Sequence, residues 1–497
     1  MATLSDLRGI LADSGYQRDA LSAIGAATPL GRTVDPARLE EITSAPTRAN
    51  TAARLFYMAR AVPRADAEAL LAPLGCAPLI GAGLLHEDGD RVRAECAVLP
   101  VNDLLIARDF ESWATGRPMG TDYVLGVGLA TRMLAEFTPR DSRNLALDLG
   151  TGQGYQALLA GAHAGRVIGT DINRRALRLC GWAVAMNGKS NIELREGSFF
   201  EPVQDERGRF DLIVSNPPFV IAPPHDMAAI GGRWEGDRFV EQLLRDIPEY
   251  LAEGGVAAVL CNWHHPTPEA WPGRISAWIE GRGVDAWIVQ LKHDDPRTYA
   301  TNWLRESASV ESEAAMIAAE AKVDSWLEYY RRIGVGAISL GIVRLRRRTA
   351  GPGGPANFIR AESIPMDKHT APGGAQALRV FDNEVMLRTA RTPADLLGHA
   401  LRLSPDAELH QRLRPAKGAW APQASVLREM KGFEFPIGLD GLTSAVLARL
   451  DGARPVRVIV QEMARAMKAD PEVALSQTAP FIEKMLRTLH LERAGGP

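Results

Sequence analysis

Between about residue 140 and residue 345 the chain repeats one pattern: a short apolar run, a turn of small residues, then apolar positions at helical spacing. Leu145-Ala146-Leu147-Asp148-Leu149 is apolar apart from one carboxylate and reads as a buried strand. It enters Gly150-Thr151-Gly152-Gln153-Gly154, and an Ala/Leu-rich helix is expected over 155–164. Residues 166–171 give a second strand, 191–196 a short third strand entering Gly197-Ser198, and Phe210 to Ser215 a fourth that delivers Asn216-Pro217-Pro218-Phe219. A helix over 239–251, capped by Gly254-Gly255, precedes a fifth apolar strand at 256–261. Residues 285–291 and 337–345 supply strands six and seven, with a mostly helical insertion between them at 299–333. Strands alternating with helices predict a parallel sheet of the α/β class.

The flanks follow another rhythm. Leu4, Leu7, Ile10 and Leu11, and later Leu39, Ile42, Ala52, Leu55 and Met58, keep helical spacing. Glu87-Asp88-Gly89-Asp90 is a turn signal before a partly alternating segment at 91–100. Helices followed by a hairpin predict a winged-helix-like module over 1–110. Residues 111–143 form a bridge. Residues 220–236, rich in proline and glycine beside the end of the fourth strand, read as a substrate loop or lid. Gly351-Pro352-Gly353-Gly354-Pro355 reads as a linker. It divides a central domain, 111–350, from a C-terminal domain, 351–497. The latter is helical over 442–491 with a turn at 451–455, and reads as a second winged-helix-like module.

Composition narrows the classes. The chain has 497 residues, 46% hydrophobic and 24% charged, enough for two to four domains. It has no apolar run long enough to span a bilayer. The N-terminus lacks the basic-then-apolar order of a signal peptide, so a cytoplasmic location without membrane contact is expected. Cys76, Cys96, Cys180 and Cys261 are far apart and form no Cys-x-x-Cys pair, which argues against zinc and against a disulfide scaffold. A net charge of −3 gives no global electrostatic case for nucleic acid. The adjacent His264 and His265 read as rim residues rather than a metal site. The basic run Arg344, Arg346, Arg347, Arg348 reads as a solvated strand end.

The chemistry gathers at the strand ends, where open α/β sheets bind ligands. Asp-x-Gly-x-Gly-x-Gly at 148–154 differs from the Gly-x-Gly-x-x-Gly of dinucleotide sites. Asp171 follows Asp148 by 23 residues, where a carboxylate can accept from both hydroxyls of a ribose. With Gly197-Ser198 and Asn216–Phe219 in that order, the sequence resembles the class I S-adenosylmethionine-dependent methyltransferases. The Asn-Pro-Pro-aromatic ending resembles the amino-methyltransferase branch of the small-domain type. The resemblance covers roughly 120–348 and implies a Rossmann-like seven-stranded sheet, with the segment before the first strand closing over the cofactor and Tyr123 and Thr131 as candidate pocket residues. It also implies S-adenosyl-L-methionine held by Asp148, Gly150, Thr151, Gly152, Gly154, Asp171, Asn173, Gly197, Ser198 and Asn216. Asn173 is the weaker member of this set and reads first as the start of the helix beginning Arg174-Arg175.

The resemblance implies a catalytic set of Asn216, Pro217, Pro218 and Phe219, acting on adenine N6, guanine N2 or a glutamine amide. Asn216 and the Pro217 carbonyl would accept from the N–H groups, and Phe219 would stack on a flat substrate group. The phenylalanine and the two winged-helix-like modules put an RNA base first. A protein glutamine or peptide amide, or a small molecule, is the alternative.

Overall fold

The computed structural model describes residues 4–17, 21, 35–117, 120–224, 234–307, 313–351, 354–370, 373–416 and 418–494. Its largest sheet contains strands β1 (Arg143–Leu149), β2 (Ala164–Asp171), β3 (Ile192–Glu196) and β4 (Phe210–Ser215). It continues with β5 (Leu251–His265), β6 (Val284–Asp294), β7 (Ala337–Arg347) and β8 (Ile359–Ser363). Their spatial order is 8-6-7-5-4-1-2-3. β1 pairs in parallel with both β2 and β4, so the order reverses at β1. That reversal opens a crevice at the strand ends, the place where such sheets bind ligands. The helices are α1 (Leu129–Glu136), α2 (Tyr155–Ala160), α3 (Arg174–Met186), α4 (Arg238–Tyr250), α5 (Pro296–Ser307) and α6 (Glu313–Arg332).

Four features depart from the sequence reading. The sheet has eight strands rather than seven. β8 lies beyond the glycine-proline linker and pairs in parallel with β6, from Ala286 beside Ile359 to Gln290 beside Ser363. Gly254 and Gly255 do not cap a helix: α4 ends at Tyr250 and β5 begins at Leu251. The register against β4 shifts between Leu251 and Val256, which is the mark of a bulge. A Cβ on Gly255 would stand 2.5 Å from the Phe210 carbonyl oxygen, so the neighbouring backbone comes too close for any side chain.

β5 also runs on through Asn262, Trp263, His264 and His265, all buried, so the histidines are strand residues and not rim residues. Each finds a polar partner. The His265 ring is 2.8 Å from Ser339 Oγ and 2.6 Å from the Thr267 carbonyl, and the His264 backbone N–H donates to Asp237. The basic run, finally, is not solvated. Arg344 is enclosed by the faces of Trp287, Phe137 and Phe433 at 4.6, 5.1 and 5.7 Å, which replace water around the guanidinium. Burial pushes its pKa down to about 9, still a cation at neutral pH. Arg346 and Arg348 pair with the buried Asp285.

The chain forms two compact units. The first comprises Met1–Ala135, Asp141–Trp278 and His293–Ile342. Its N-terminal part has helices Leu7–Asp13, Pro36–Ile42, Arg48–Phe56 and Arg64–Leu71, then the hairpin Leu85–Asp88/Arg91–Ala94. These share a core with Ala176, Leu179, Trp182 and Met186 of α3. The insertion after β6 builds a second core, in which Tyr299, Trp326 and Tyr330 pack on Val220, Ile221 and Ala222.

The second unit comprises Glu136–Arg140, Ile279–Lys292 and Val343–Pro497. It has helices Gly441–Leu447, Val456–Ala466 and Pro471–Arg487 and a long hairpin, Ala407–Ala416/Ala419–Glu429. The segment 451–455, expected as a turn, is a strand paired with Ala400–Leu403. Among the described residues no helix is long and apolar enough to cross a membrane.

Candidate active site

The turn after β1 is built from backbone that favours glycine. Gly150, Gly152 and Gly154 have φ of +74°, +54° and +84°. A Cβ on Gly154 would meet Cys180 Sγ at 2.4 Å, whereas nothing lies within 4 Å of a Cβ on Gly150 or Gly152. Gly154 therefore packs the turn against α3, and the other two leave open room above it. Asp148 fastens the loop from below. Its Oδ2 accepts from the Thr151 hydroxyl at 2.7 Å and from the Ala157 N–H of α2 at 2.9 Å. Thr151 thus reaches its sequence-expected neighbourhood by closing the turn.

Asp148 is 2% exposed, and burial pushes its pKa up to about 7, while the Thr151 and Ala157 hydrogen bonds pull it down and the Asp171 charge adds to the rise. Its folded value lies above that of an exposed aspartate, about 4. The native protein therefore holds an extra proton between those values. The stability this gives is complete below about pH 4 and is lost as pH rises through about 7. Asp148→Asn keeps an oxygen that accepts both bonds and removes the titration. Thermal melts of the ligand-free protein from pH 4 to 8 are expected to show a downward slope in the wild type that this variant lacks. Equal slopes would show that Asp148 does not titrate there.

Asp171, at the end of β2, stands across the turn. Its Oδ2 accepts from the Gly152 N–H at 2.9 Å and its Oδ1 from the Asn173 N–H at 2.8 Å. Burial raises its pKa, and the backbone donors of Asn173, Gly152 and Ile172 oppose the rise. Asn173 caps α3: its side-chain oxygen accepts from Arg175 N–H and its amide donates to the Asp122 carbonyl. Both ends of that side chain are engaged, which fits the helix-start reading.

Gly197 donates its N–H to the Asp171 carbonyl, has φ +152°, and cannot carry a Cβ because Pro202 would lie 2.5 Å away. The Ser198 N–H faces Glu201 at 3.4 Å. Phe199 follows with φ +48°, costly for a bulky residue, and packs on Phe239 and Trp234 at 4.5 and 5.7 Å.

The fourth strand ends beside the first, with the Ser215 hydroxyl donating to the Leu149 carbonyl at 2.8 Å. Asn216 comes next. Its Nδ2 donates to Thr131 Oγ1 at 3.1 Å, while its Oδ1 is buried and, among the described residues, has no hydrogen-bond partner. Such an acceptor costs stability unless something donates to it. Pro217 is buried, Pro218 exposed and Phe219 half-buried. Thr131 thus meets the catalytic motif, whereas Tyr123 lies in the segment before α1 and its backbone N–H bonds the Gly120 carbonyl. The proposed lid falls partly on 225–233, outside the described residues.

Beyond Phe219 the chain is tied down by residues the sequence reading did not single out. The Tyr330 hydroxyl donates to the Ile221 carbonyl at 2.8 Å. The Tyr299 oxygen accepts from the Ile221 N–H at 3.2 Å and from Asn262 Nδ2 at 2.6 Å. Polar residues alternating with Trp263 past the apolar run of β5 were the available signal for Asn262 and His264. His264 Nε2 faces Asp237, itself paired with Arg274, and burial lowers the imidazole pKa, which favours the neutral ring. Among the described residues no group of three or more His, Cys, Asp or Glu could hold a metal ion.

Residues 126–277 match the family described as methyltransferase small domain, and residues 2–95 match a domain of unknown function (DUF7059). A ribosomal protein uL3 glutamine methyltransferase of Bradyrhizobium diazoefficiens is 34% identical over 165 residues, 30% of this chain and 51% of its own. A release factor glutamine methyltransferase of Aliivibrio fischeri is 34% identical over 121 residues, covering 22% and 42% of the two chains. A putative protein N5-glutamine methyltransferase of Methanocaldococcus jannaschii is 30% identical over 121 residues, covering 23% and 59%. The chain spans about half the length of the curated relatives it matches. A glycine turn, the buried Asp148 and the partly buried Asp171 stand at the sheet's reversal point, and residues 126–277, which this family model matches, form a class I S-adenosylmethionine-dependent methyltransferase domain of the small-domain type.

Proposed function

We propose that this protein methylates a planar amide nitrogen, the side chain of glutamine in a protein substrate. The observation that carries the reading is the Asn216 carboxamide, anchored by Thr131 through its nitrogen and left with a bare, buried oxygen. Relatives named as glutamine methyltransferases favour the protein amide over the RNA base that the motif first suggested.

The residues present fit S-adenosylmethionine. Open room above Gly150 and Gly152 admits a ligand against the backbone. Each Asp171 oxygen accepts one backbone N–H and keeps capacity for another donor, which suits a ribose diol. Asp148 holds the loop and offers charge to an ammonium. Gly197 and Ser198 border the same rim. When bound, S-adenosylmethionine supplies an electrophilic methyl carbon whose bonding pair stays with sulfur.

The chain's own work is on the nitrogen. An amide lone pair is delocalised into its carbonyl. Asn216 Oδ1 and the Pro217 carbonyl, accepting from its N–H groups, draw the nitrogen toward tetrahedral geometry and localise the pair. Phe219 and the prolines keep water from the nucleophile and fix its approach. After the new N–C bond forms and the S–C bond breaks, the nitrogen gives up one proton, which reaches solvent as the product leaves.

The test uses tritiated S-adenosylmethionine and an extract of cells lacking the chain. Label in the protease-sensitive fraction, released on hydrolysis as N5-methylglutamine, is the expected result. Label that vanishes with RNase would replace the glutamine reading with the base reading, while label in small molecules would overturn both.

A further inference from the structure

Asn216 is not the only carboxamide left half-satisfied at this edge of the sheet. Asn262, on the adjacent strand, is 2% exposed; its Nδ2 is held by the Tyr299 hydroxyl at 2.6 Å and, among the described residues, its Oδ1 has no partner. The two asparagines share one plan: the nitrogen is tied to a hydroxyl from another element, and the oxygen is buried and bare.

Position supports the pairing. β4 and β5 run parallel with Ser215 beside Val259. Asn216 is one residue past Ser215, where β4 ends, and Asn262 three past Val259; with the alternation of β4 continued by one residue, both are odd steps from a register pair and take the same side of the sheet. The offset of two residues along the strand is about 7 Å. The Tyr299 oxygen that holds Asn262 also accepts from Ile221, two residues beyond Phe219, so the same hydroxyl sets the Asn262 carboxamide and the exit of the catalytic motif.

We infer that Asn262 Oδ1 is a second side-chain acceptor for substrate, set by Tyr299, that receives a backbone N–H flanking the incoming primary amide. The inference rests on the amide-transfer reading. Its chemistry is selection: two fixed acceptors on neighbouring strands demand a substrate that brings more than one N–H donor. A substrate without the second donor leaves a buried oxygen unpaired, a larger penalty than the lost bond alone. No bond is made or broken at Asn262. Its part is to orient the nitrogen that Asn216 contacts.

The experiment compares Asn262→Leu, Asn262→Asp and Tyr299→Phe, with tritiated S-adenosylmethionine and the protein fraction of an extract from cells lacking the chain. Asn262→Leu is expected to lower the initial rate at saturating acceptor by about 10–100-fold and to raise the half-saturating amount of acceptor. Cofactor affinity should be unchanged by calorimetry. Asn262→Asp, which keeps an acceptor and drops the donor, should restore most of the rate, and Tyr299→Phe should fall between.

Wild-type rate and half-saturation in Asn262→Leu would overturn the inference. If that variant fails to bind S-adenosylmethionine, the other two decide: an Asp variant no better than Leu, or a Phe variant equal to wild type, overturns it equally. An inactive Asn216→Ala beside an unimpaired Asn262→Leu removes the second acceptor alone. Label found only in RNA removes the glutamine reading and, with it, the flanking peptide N–H that this inference gives to Asn262.

Discussion

Asn216→Ala is expected to lower methyl transfer by about 10²–10³-fold, the size of effect seen when one preorganised hydrogen-bonding group is removed from a polar transition state. Affinity for S-adenosylmethionine should stay within about threefold of wild type, or roughly 0.7 kcal/mol. The split follows from geometry. The residue's nitrogen is spent on Thr131 Oγ1, so only the oxygen is free to act, and what it can do is accept. Deleting it removes an interaction with an N–H that strengthens as the nitrogen turns tetrahedral, and such losses appear in turnover rather than in ground-state binding. Thr131→Val leaves the carboxamide in place but frees it to rotate, so a smaller loss is expected, with Thr131→Ser near wild type. Normal turnover by Asn216→Ala, in a protein that still binds the cofactor, would end the proposed mechanism.

The legible and illegible parts of this site differ for physical reasons. Gly150, Gly152 and Gly154 could be read because positive φ leaves little choice of residue, and Asp171 because a carboxylate at the end of an apolar strand has few structural excuses. The pairing of Asn262 with Tyr299 could not. They lie 37 positions apart, on a strand and in the helical insertion, and only the folded chain brings the hydroxyl to the amide.

The same holds for Arg344. A run of arginines reads as solvated until Phe137, Trp287 and Phe433 close round the first of them. Gly254-Gly255 misled for the opposite reason. The pair has a local meaning, helix end, that a non-local contact overrides: the Phe210 carbonyl leaves no room for a Cβ. β8 escaped notice because Ile359-Arg360-Ala361-Glu362-Ser363 mixes charge with few apolar residues. Its addition to β6 is secured partly by Glu362, which accepts from the Trp287 indole at 2.8 Å.

Asp171→Ala is expected to act on the other half of the reaction, lowering affinity for S-adenosylmethionine by about 10²–10⁴-fold. Two charge-assisted hydrogen bonds to a diol contribute about 1.5–3 kcal/mol each, and tenfold in affinity is 1.4 kcal/mol. Part of the loss is indirect. The carboxylate also receives the Gly152 and Asn173 N–H groups, so alanine leaves two donors of the turn unpartnered and loosens the loop the cofactor must meet.

Asp171→Asn separates the two contributions. It keeps one acceptor oxygen and no charge, and should fall between wild type and alanine. Acidification should mimic the substitution. Burial raises the pKa of this carboxyl, so its acceptor capacity is lost at a higher pH than an exposed aspartate would lose it. Titrations on an Asp148→Asn background remove the neighbouring group that changes charge near 7. Calorimetry with S-adenosylhomocysteine, which lacks the transferable methyl, reads binding without turnover. An alanine variant that binds within threefold of wild type would remove Asp171 from the cofactor site. The opposite pattern to Asn216→Ala, weak binding with turnover partly regained at high cofactor concentration, would place the two residues on opposite sides of the transferred methyl group.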